Sequence, residues 1–148
     1  MKTRGFEICK GYEDTATLPK RGSKYSAGYD FYLAEDVTLP PKTTVLSKTG
    51  IKCYMQPDEV LEVFIRSSVG VKQKIRNSNC VCVIDSDYYN NEKNEGNIIL
   101  GLYNYDTSEK FLKKGTRVCQ GIFHKYLVAD EDEVVNEKRT SGIGSTGI

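Results

Sequence analysis

The chain has 148 residues, 39% of them hydrophobic and 28% charged, with a formal net charge of +1. That length suits a single domain, since one hydrophobic core serves roughly 100–200 residues, and the composition carries no signature of disorder. The near-neutral charge offers no global field to a nucleic acid or an anionic membrane, and no apolar run reaches the ~20 residues of a spanning helix, so neither partner is expected and any anion must be held by a local cluster.

In chain order, apolar-rich or alternating stretches near 27–33, 43–54, 60–65, 80–84, 97–104 and 116–127 read as short strands. Turn formers punctuate them at Pro40-Pro41, Gln56-Pro57-Asp58-Glu59 and Lys113-Lys114-Gly115. Ten tyrosines and no tryptophan suit half-buried strand faces. Only the stretch 67–75 admits a helical reading, which its β-branched residues weaken. The pattern predicts an all-β sandwich or jelly roll with at most one short helix. The polar run from Tyr89 to Asn97 predicts a surface loop. From Glu137 to Ile148 the chain becomes Gly/Ser/Thr-rich after a basic start, the composition of a mobile tail. The division expected is a β domain over 1–136 and an arm over 137–148.

Four clusters carry chemical potential. Arg66-Ser67-Ser68 follows an apolar strand, and its guanidinium and hydroxyls can bind phosphate or simply cap a short helix. Asp85-Ser86-Asp87-Tyr88 pairs carboxylates with an aromatic ring: a general base and stacking platform, or an Asp-rich turn. Lys114-Gly115-Thr116-Arg117 with Gln120 is a further polar group or a turn into a strand. In Arg139-Thr140-Ser141-Gly142-Ile143-Gly144-Ser145-Thr146-Gly147 the glycines free backbone N–H groups to wrap an anion. No Gly-Lys-Ser/Thr sequence makes it a Walker loop, and the alternative is a disordered terminus.

The cysteines and the histidine limit the mechanism. Five cysteines are an odd number, and none form a Cys-x-x-Cys pair. With no apolar export signal in Met1–Glu7, reduced thiols in a cytoplasmic protein are expected. Cys80 and Cys82 have the strand period and are expected on one face of a strand; zinc ligation with His124 would need closer to four ligands. A single histidine, with no nucleophile elbow nearby, turns any hydrolysis toward a carboxylate base, a metal ion or both.

Taken together and in order, the clusters resemble the five motifs of the trimeric dUTPase family. Ser26-Ala27-Gly28-Tyr29-Asp30-Phe31 matches the first; Arg66-Ser67-Ser68 with Gly70 the second. Asn79 through Val83-Ile84-Asp85-Ser86-Asp87-Tyr88 matches the third, Gly115-Thr116-Arg117-Val118-Cys119-Gln120 the fourth, and the Arg139–Gly147 tail the fifth. The resemblance covers about 26–147. It implies a jelly-roll, β-clip subunit in a homotrimer with shared active sites, the arm closing over a neighbour's nucleotide. The implied reaction is hydrolysis of dUTP to dUMP and pyrophosphate, which keeps uracil out of DNA and supplies dUMP for dTMP synthesis. By the same resemblance Asp85 activates the attacking water, with Arg139 acting at the triphosphate. Tyr88 underlies the deoxyribose; Asn79, Val83 and Ile84 read the uracil. Arg66, Ser67, Ser68, Gln120, Arg139, Ser145 and Thr146 hold the phosphates, Ile143 and Gly144 bind the substrate as well, and Asp30 and Asp87 support. Mg2+ is implied as cofactor, held through phosphates and water rather than by protein ligands.

Three departures from the family pattern bear on the site. Ile143 stands where most relatives carry a stacking phenylalanine, with Tyr89 a possible aromatic substitute, and Ser141 replaces a glycine. Cys82 stands at a usual glycine under the base. The insert Asn90–Glu95 lengthens the third motif; a substitute lid and an interface contact are alternatives, and a tolerated surface loop is expected. Two rival readings remain. A dCTP deaminase needs a glutamate where this chain has Gly101. A nucleotide-gated regulatory module would have a protein partner.

Overall fold

The computed structural model describes residues 1–137, 139, 142–144 and 146. Among these, the regular structure is almost wholly strand: β1 (Gly5–Ile8), β2 (Lys20–Arg21), β3 (Tyr29–Tyr32), β4 (Val37–Leu39), β5 (Thr44–Lys48), β6 (Ile51–Tyr54), β7 (Glu59–Ile65), β8 (Ile75–Asn77), β9 (Cys82–Asp85), β10 (Ile99–Asn104), β11 (Lys110–Leu112) and β12 (Arg117–Lys125). Every pairing is antiparallel. A five-stranded sheet runs β2-β3-β12-β7-β9, and a three-stranded sheet runs β5-β10-β8; β1 pairs with β6, and β11 with β4.

The core lies between these sheets and follows from strand alternation. In β10, Leu100, Leu102 and Asn104 turn inward, and in β9 Cys82 and Ile84 do so while Val83 faces out. Phe31, Leu61, Val63, Ile75, Ile98 and Val118 complete the interior. Asparagine also sits there: Asn77 Nδ2 donates to Val63 O at 3.1 Å and Asn104 Nδ2 to Leu39 O at 2.9 Å. Each satisfies a backbone carbonyl that packing has cut off from water. Where β3 and β12 pair, Gly121 is required, since a β-carbon there would lie 2.9 Å from Phe31 Cε2.

The jelly-roll expectation agrees with this architecture. The helical stretch proves to be a single π-helical turn, Ser68–Lys72, after which the chain enters β8; a second turn, of 3-10 type, spans Ser86–Tyr88. All five cysteines are free thiols.

Two expectations are corrected. Cys80 and Cys82 do not share a strand face: Cys80 is exposed at φ +64° in the turn that carries the chain from β8 to β9, whereas Cys82 opens β9 and is buried. The turn links strands of different sheets, so the period of 2 begins only at Cys82. Nor is the 90–95 insert a mere surface loop. Asn91 is only 7% exposed and Asn97, just beyond the insert, 6%. Lys52 Nζ donates to Asn90 Oδ1 at 2.7 Å and to Glu95 Oε1 at 2.8 Å, and Glu95 Oε2 accepts from Lys10 N at 3.0 Å. Asn90, Glu92 and Lys93 stay exposed, while the remaining polar groups tie the insert to the fold through partly buried hydrogen bonds.

Candidate active site

β9 is the edge strand of the five-stranded sheet, so one row of its backbone N–H and C=O groups faces away from β7. At that edge lies a cleft of about 600 Å³. β9 contributes Cys82, Val83, Ile84 and Asp85; β5 contributes Thr44 and Leu46, β10 Ile99 and Gly101, and the β8–β9 turn Ser78 and Asn79. An edge strand's alternating donors and acceptors suit a planar heterocycle bearing amide-like groups. Leu46 and Val83, each 60% exposed, give the same cleft apolar surface. Cys82, 4% exposed, packs into the core, and its Sγ donates to Asn79 Oδ1 at 3.5 Å, so it does not fill the cleft.

Asp85 ends β9 and Asp87 follows in the 3-10 turn. Arg139 spans both: its terminal nitrogen is 2.5 Å from Asp85 Oδ2 and its Nε 2.8 Å from Asp87 Oδ1. Burial raises the Asp85 carboxyl above the usual range; Arg139 opposes that, and the neighbouring charge of Asp87 adds to it. An elevated carboxylate at the mouth of a cleft is a stronger proton acceptor than an ordinary aspartate.

Tyr88 is 8% exposed. Its hydroxyl donates to Asn97 O at 2.8 Å and accepts from Asn94 Nδ2 at 2.7 Å, so its single proton is committed away from any ligand. What the ring offers the cleft is shape. The arm passes close over it: a β-carbon on Gly142 would stand 3.0 Å from Tyr88 Cε1, closer than carbon atoms normally approach. Ile143, Gly144 and Thr146 line the same cleft, Ile143 remaining 87% exposed. Ser141 and Ser145 lie outside the described residues. Tyr89 does not substitute for a stacking aromatic. Its hydroxyl bonds to Glu7 and its ring meets Tyr54 at 6.0 Å, on the side of β1 and β6.

The other expected residues gather elsewhere. Arg66 follows β7 and pairs through Nε with Asp30 Oδ1 at 3.3 Å; Arg117 pairs with Asp30 Oδ2, also at 3.3 Å. Asp30, 8% exposed, thus braces two guanidinium groups. Ser67 takes the N-cap position of the π-helical turn yet makes no capping bond, and both Ser67 and Ser68 are exposed. Gln120 lies against Gly28, where a β-carbon would come within 2.5 Å of Gln120 Oε1. Because Val60 pairs with Asp85, Arg66 sits past the opposite end of β7. At about 3.3 Å per residue their backbones are separated by roughly 20 Å along β7.

Thr44, Leu46, Ser78, Asn94 and Ile99 were not singled out as site residues by sequence. Most are ordinary strand or turn residues whose partner sheet alone makes them part of a cleft. Arg117 was named in the fourth cluster, and the structure pairs it with Asp30.

Comparisons with known proteins agree with this geometry. A family profile described as dUTPase matches residues 14–147. The deoxyuridine 5'-triphosphate nucleotidohydrolase of Lactococcus lactis subsp. lactis (strain IL1403) is 46% identical over 149 residues, spanning 99% of this chain and 99% of that protein. The crystal structure of dUTPase from Streptococcus mutans superposes with a TM-score of 0.81 at 44% identity, covering 85% of this chain and 98% of that one. The dUTPase of Staphylococcus bacteriophage 80alpha shares the fold, with a TM-score of 0.76 at 19% identity over 93% and 99% of the two chains. Matched by the profile over nearly its whole length and by a bacterial relative from end to end, the chain belongs to the dUTPase family.

Proposed function

We propose that the protein hydrolyses dUTP to dUMP and pyrophosphate at the β9 cleft, with Asp85 as the general base. The observation that carries this reading is Asp85 itself: a carboxylate of raised pKa, at the end of an edge strand whose free backbone can pair with a uracil, in a member of the dUTPase family. Water held by Asp85 attacks the α-phosphorus in line, its proton passes to the carboxylate, and the bond to the pyrophosphate oxygen breaks. Tyr88 lies under the deoxyribose and excludes a 2′-hydroxyl by shape. Asn79 and the backbone of Val83 and Ile84 read the base.

The phosphate-binding set is completed between subunits of a homotrimer. Arg66, Ser67, Ser68 and Gln120, braced by Asp30, face the Asp85 cleft of a neighbouring copy. Their separation from Asp85 along β7 in one chain supports this arrangement. The arm, 137–148, contributes Arg139, Gly144, Ser145 and Thr146. Its contact with Asp85 and Asp87, internal in the single chain, is exchanged between copies in the trimer, as domain swapping does at little cost.

Magnesium fits this site as an ion carried by the substrate. Among the described residues no three His, Cys, Asp or Glu side chains gather to hold a metal, and Mg2+ commonly binds through phosphates and water. Bound there, it neutralises charge as pyrophosphate leaves. Gly101 argues against deamination. It lines the cleft, and an added β-carbon would meet Leu46 and Ser78 only at 3.6 Å, so packing does not demand the glycine; no acid occupies the place where deamination needs one.

The reading is tested by pyrophosphate release from dUTP, dCTP, dTTP and UTP in the presence of magnesium. Release from dUTP, with the others slower by about 10²-fold or more, is expected. dUTP bound without turnover would instead favour a regulatory module. A second expectation concerns Asp30: without its charge Arg66 and Arg117 repel one another, and Asp30→Asn should raise KM for dUTP about tenfold with a smaller change in kcat. Steady-state kinetics showing a kcat loss alone would give Asp30 a direct part in the chemistry.

A further inference from the structure

The insert that lengthens the third motif encloses Tyr88. Asn91 Nδ2 donates to Tyr88 O at 2.8 Å and to Asn94 Oδ1 at 2.6 Å. Asn94 Nδ2 in turn donates to the Tyr88 hydroxyl at 2.7 Å. The amide orientations are fixed by backbone donors, which can only meet oxygen: Lys93 N and Asn94 N each donate to Asn91 Oδ1 at 3.1 Å, and Gly96 N donates to Asn94 Oδ1 at 3.1 Å. With Asn94 donating, the phenolic proton goes to Asn97 O at 2.8 Å. Both ends of the tyrosine, carbonyl and hydroxyl, are therefore held by the same six-residue segment and its flank.

That segment is itself anchored. Lys52, buried in β6, draws in Asn90 and Glu95. Gly96 packs directly against the tyrosine backbone: at φ +92°, a β-carbon there would lie 2.9 Å from Tyr88 O. Tyr88 is a buried member of the core, which holds the body of the ring, and these bonds fix the phenol end that faces the cleft. Burial within a satisfied polar network specifies one position.

We propose that Asn94 is a positioning residue for sugar discrimination: it pins the Tyr88 ring against the cleft, so that the ring cannot yield to a ribose 2′-hydroxyl. The proposal rests on the reading that Tyr88 underlies the deoxyribose. The insert thereby becomes part of the specificity device, and Asn94, which lines the cleft as well, is its point of contact.

The experiment is a double-mutant cycle on the trimeric protein, read as the ratio of kcat/KM for dUTP to that for UTP. Asn94→Ala is expected to lower the ratio roughly tenfold, Tyr88→Phe at least as much because it also removes the bond to Asn97 O, and the double variant no further than Tyr88→Phe, because the Asn94–Tyr88 bond is already lost there. Asn94→Asp still accepts from Gly96 N and can take the single phenolic proton of Tyr88 in place of Asn97 O, so it keeps one bond to the ring and should recover part of the ratio. Thermal melting of each variant distinguishes loosened positioning from loss of fold. Tyr88→Ala serves as the control on the underlying reading. If it leaves the ratio unchanged, Tyr88 does not discriminate sugars and both claims fall. If Tyr88→Ala lowers the ratio while Asn94→Ala does not, or while the Asn94→Ala and Tyr88→Phe effects simply add, the positioning role of Asn94 is overturned and the role of Tyr88 stands.

Discussion

An Asp85→Asn chain is expected to turn over dUTP about 10²–10⁴-fold more slowly than the parent, the usual contribution of a positioned base, while still binding the nucleotide and melting no lower. Asparagine keeps the size and hydrogen-bonding reach of the side chain but cannot take a proton. The stability half of the expectation follows from the direction of the pKa. Burial raises the Asp85 carboxyl, with Arg139 opposing and Asp87 adding. A folded-state pKa above the unfolded one means that the protonated form is favoured by folding; that stability is present in full below the unfolded pKa and is lost as pH rises through the folded value. At neutral pH the ionised Asp85 is therefore a burden on the fold, which the neutral amide relieves, and Arg139 keeps Asp87 at 2.8 Å. In the parent, kcat/KM should decline as pH falls through this elevated pKa, above the range of an ordinary aspartate, and the acid limb should vanish with the residual activity of the variant. A variant retaining more than about a tenth of parental kcat would remove Asp85 from the role of base. One that binds no dUTP would make it a ligand first.

The sequence made this site legible in pieces. β10 and β12 were readable because six and nine residues are long enough to display alternation. β4, β8 and β11 were not: Val37–Leu39, Ile75–Asn77 and Lys110–Leu112 are three residues each, and only a partner strand makes them strands. The ordered clusters identified Asp85, Tyr88, Arg66 and Arg139, because charged and aromatic side chains at turns leave a local signature. Their grouping had no such signature. Arg66 and Asp85 belong to neighbouring motifs in sequence, yet the antiparallel pairing of β7 with β9 carries them to opposite ends of one strand. Asn91 and Asn94 were misread for a related reason. An asparagine-rich run looks solvated until the buried phenol and carbonyls that it serves are brought beside it by the turn after β9.

Mixed trimers of Asp85→Asn chains and chains lacking residues 139–148 are expected to regain activity that neither parent possesses. If Asp85 and the arm at each site come from different subunits, random mixing leaves about a quarter of the sites with both an intact carboxylate and an arm. If the arm instead served its own chain, every site would lack one or the other and no recovery could occur. The isolated chain displays that second geometry, with Arg139 against its own Asp85 at 2.5 Å, so the outcome separates a swapped arm from a self-closing one. Pairing Asp85→Asn with Arg66→Ala isolates the remaining claim. The two residues are held apart by the length of β7, and a site built across a subunit boundary regains one intact copy of each wherever the arm originates. Recovery with Arg66→Ala but not with the truncated chain would keep the boundary-spanning site and make the arm intramolecular. Recovery with neither, in trimers verified to be mixed by native mass spectrometry, would confine each site to a single chain, and the Arg66 cluster would then need a purpose other than holding the triphosphate.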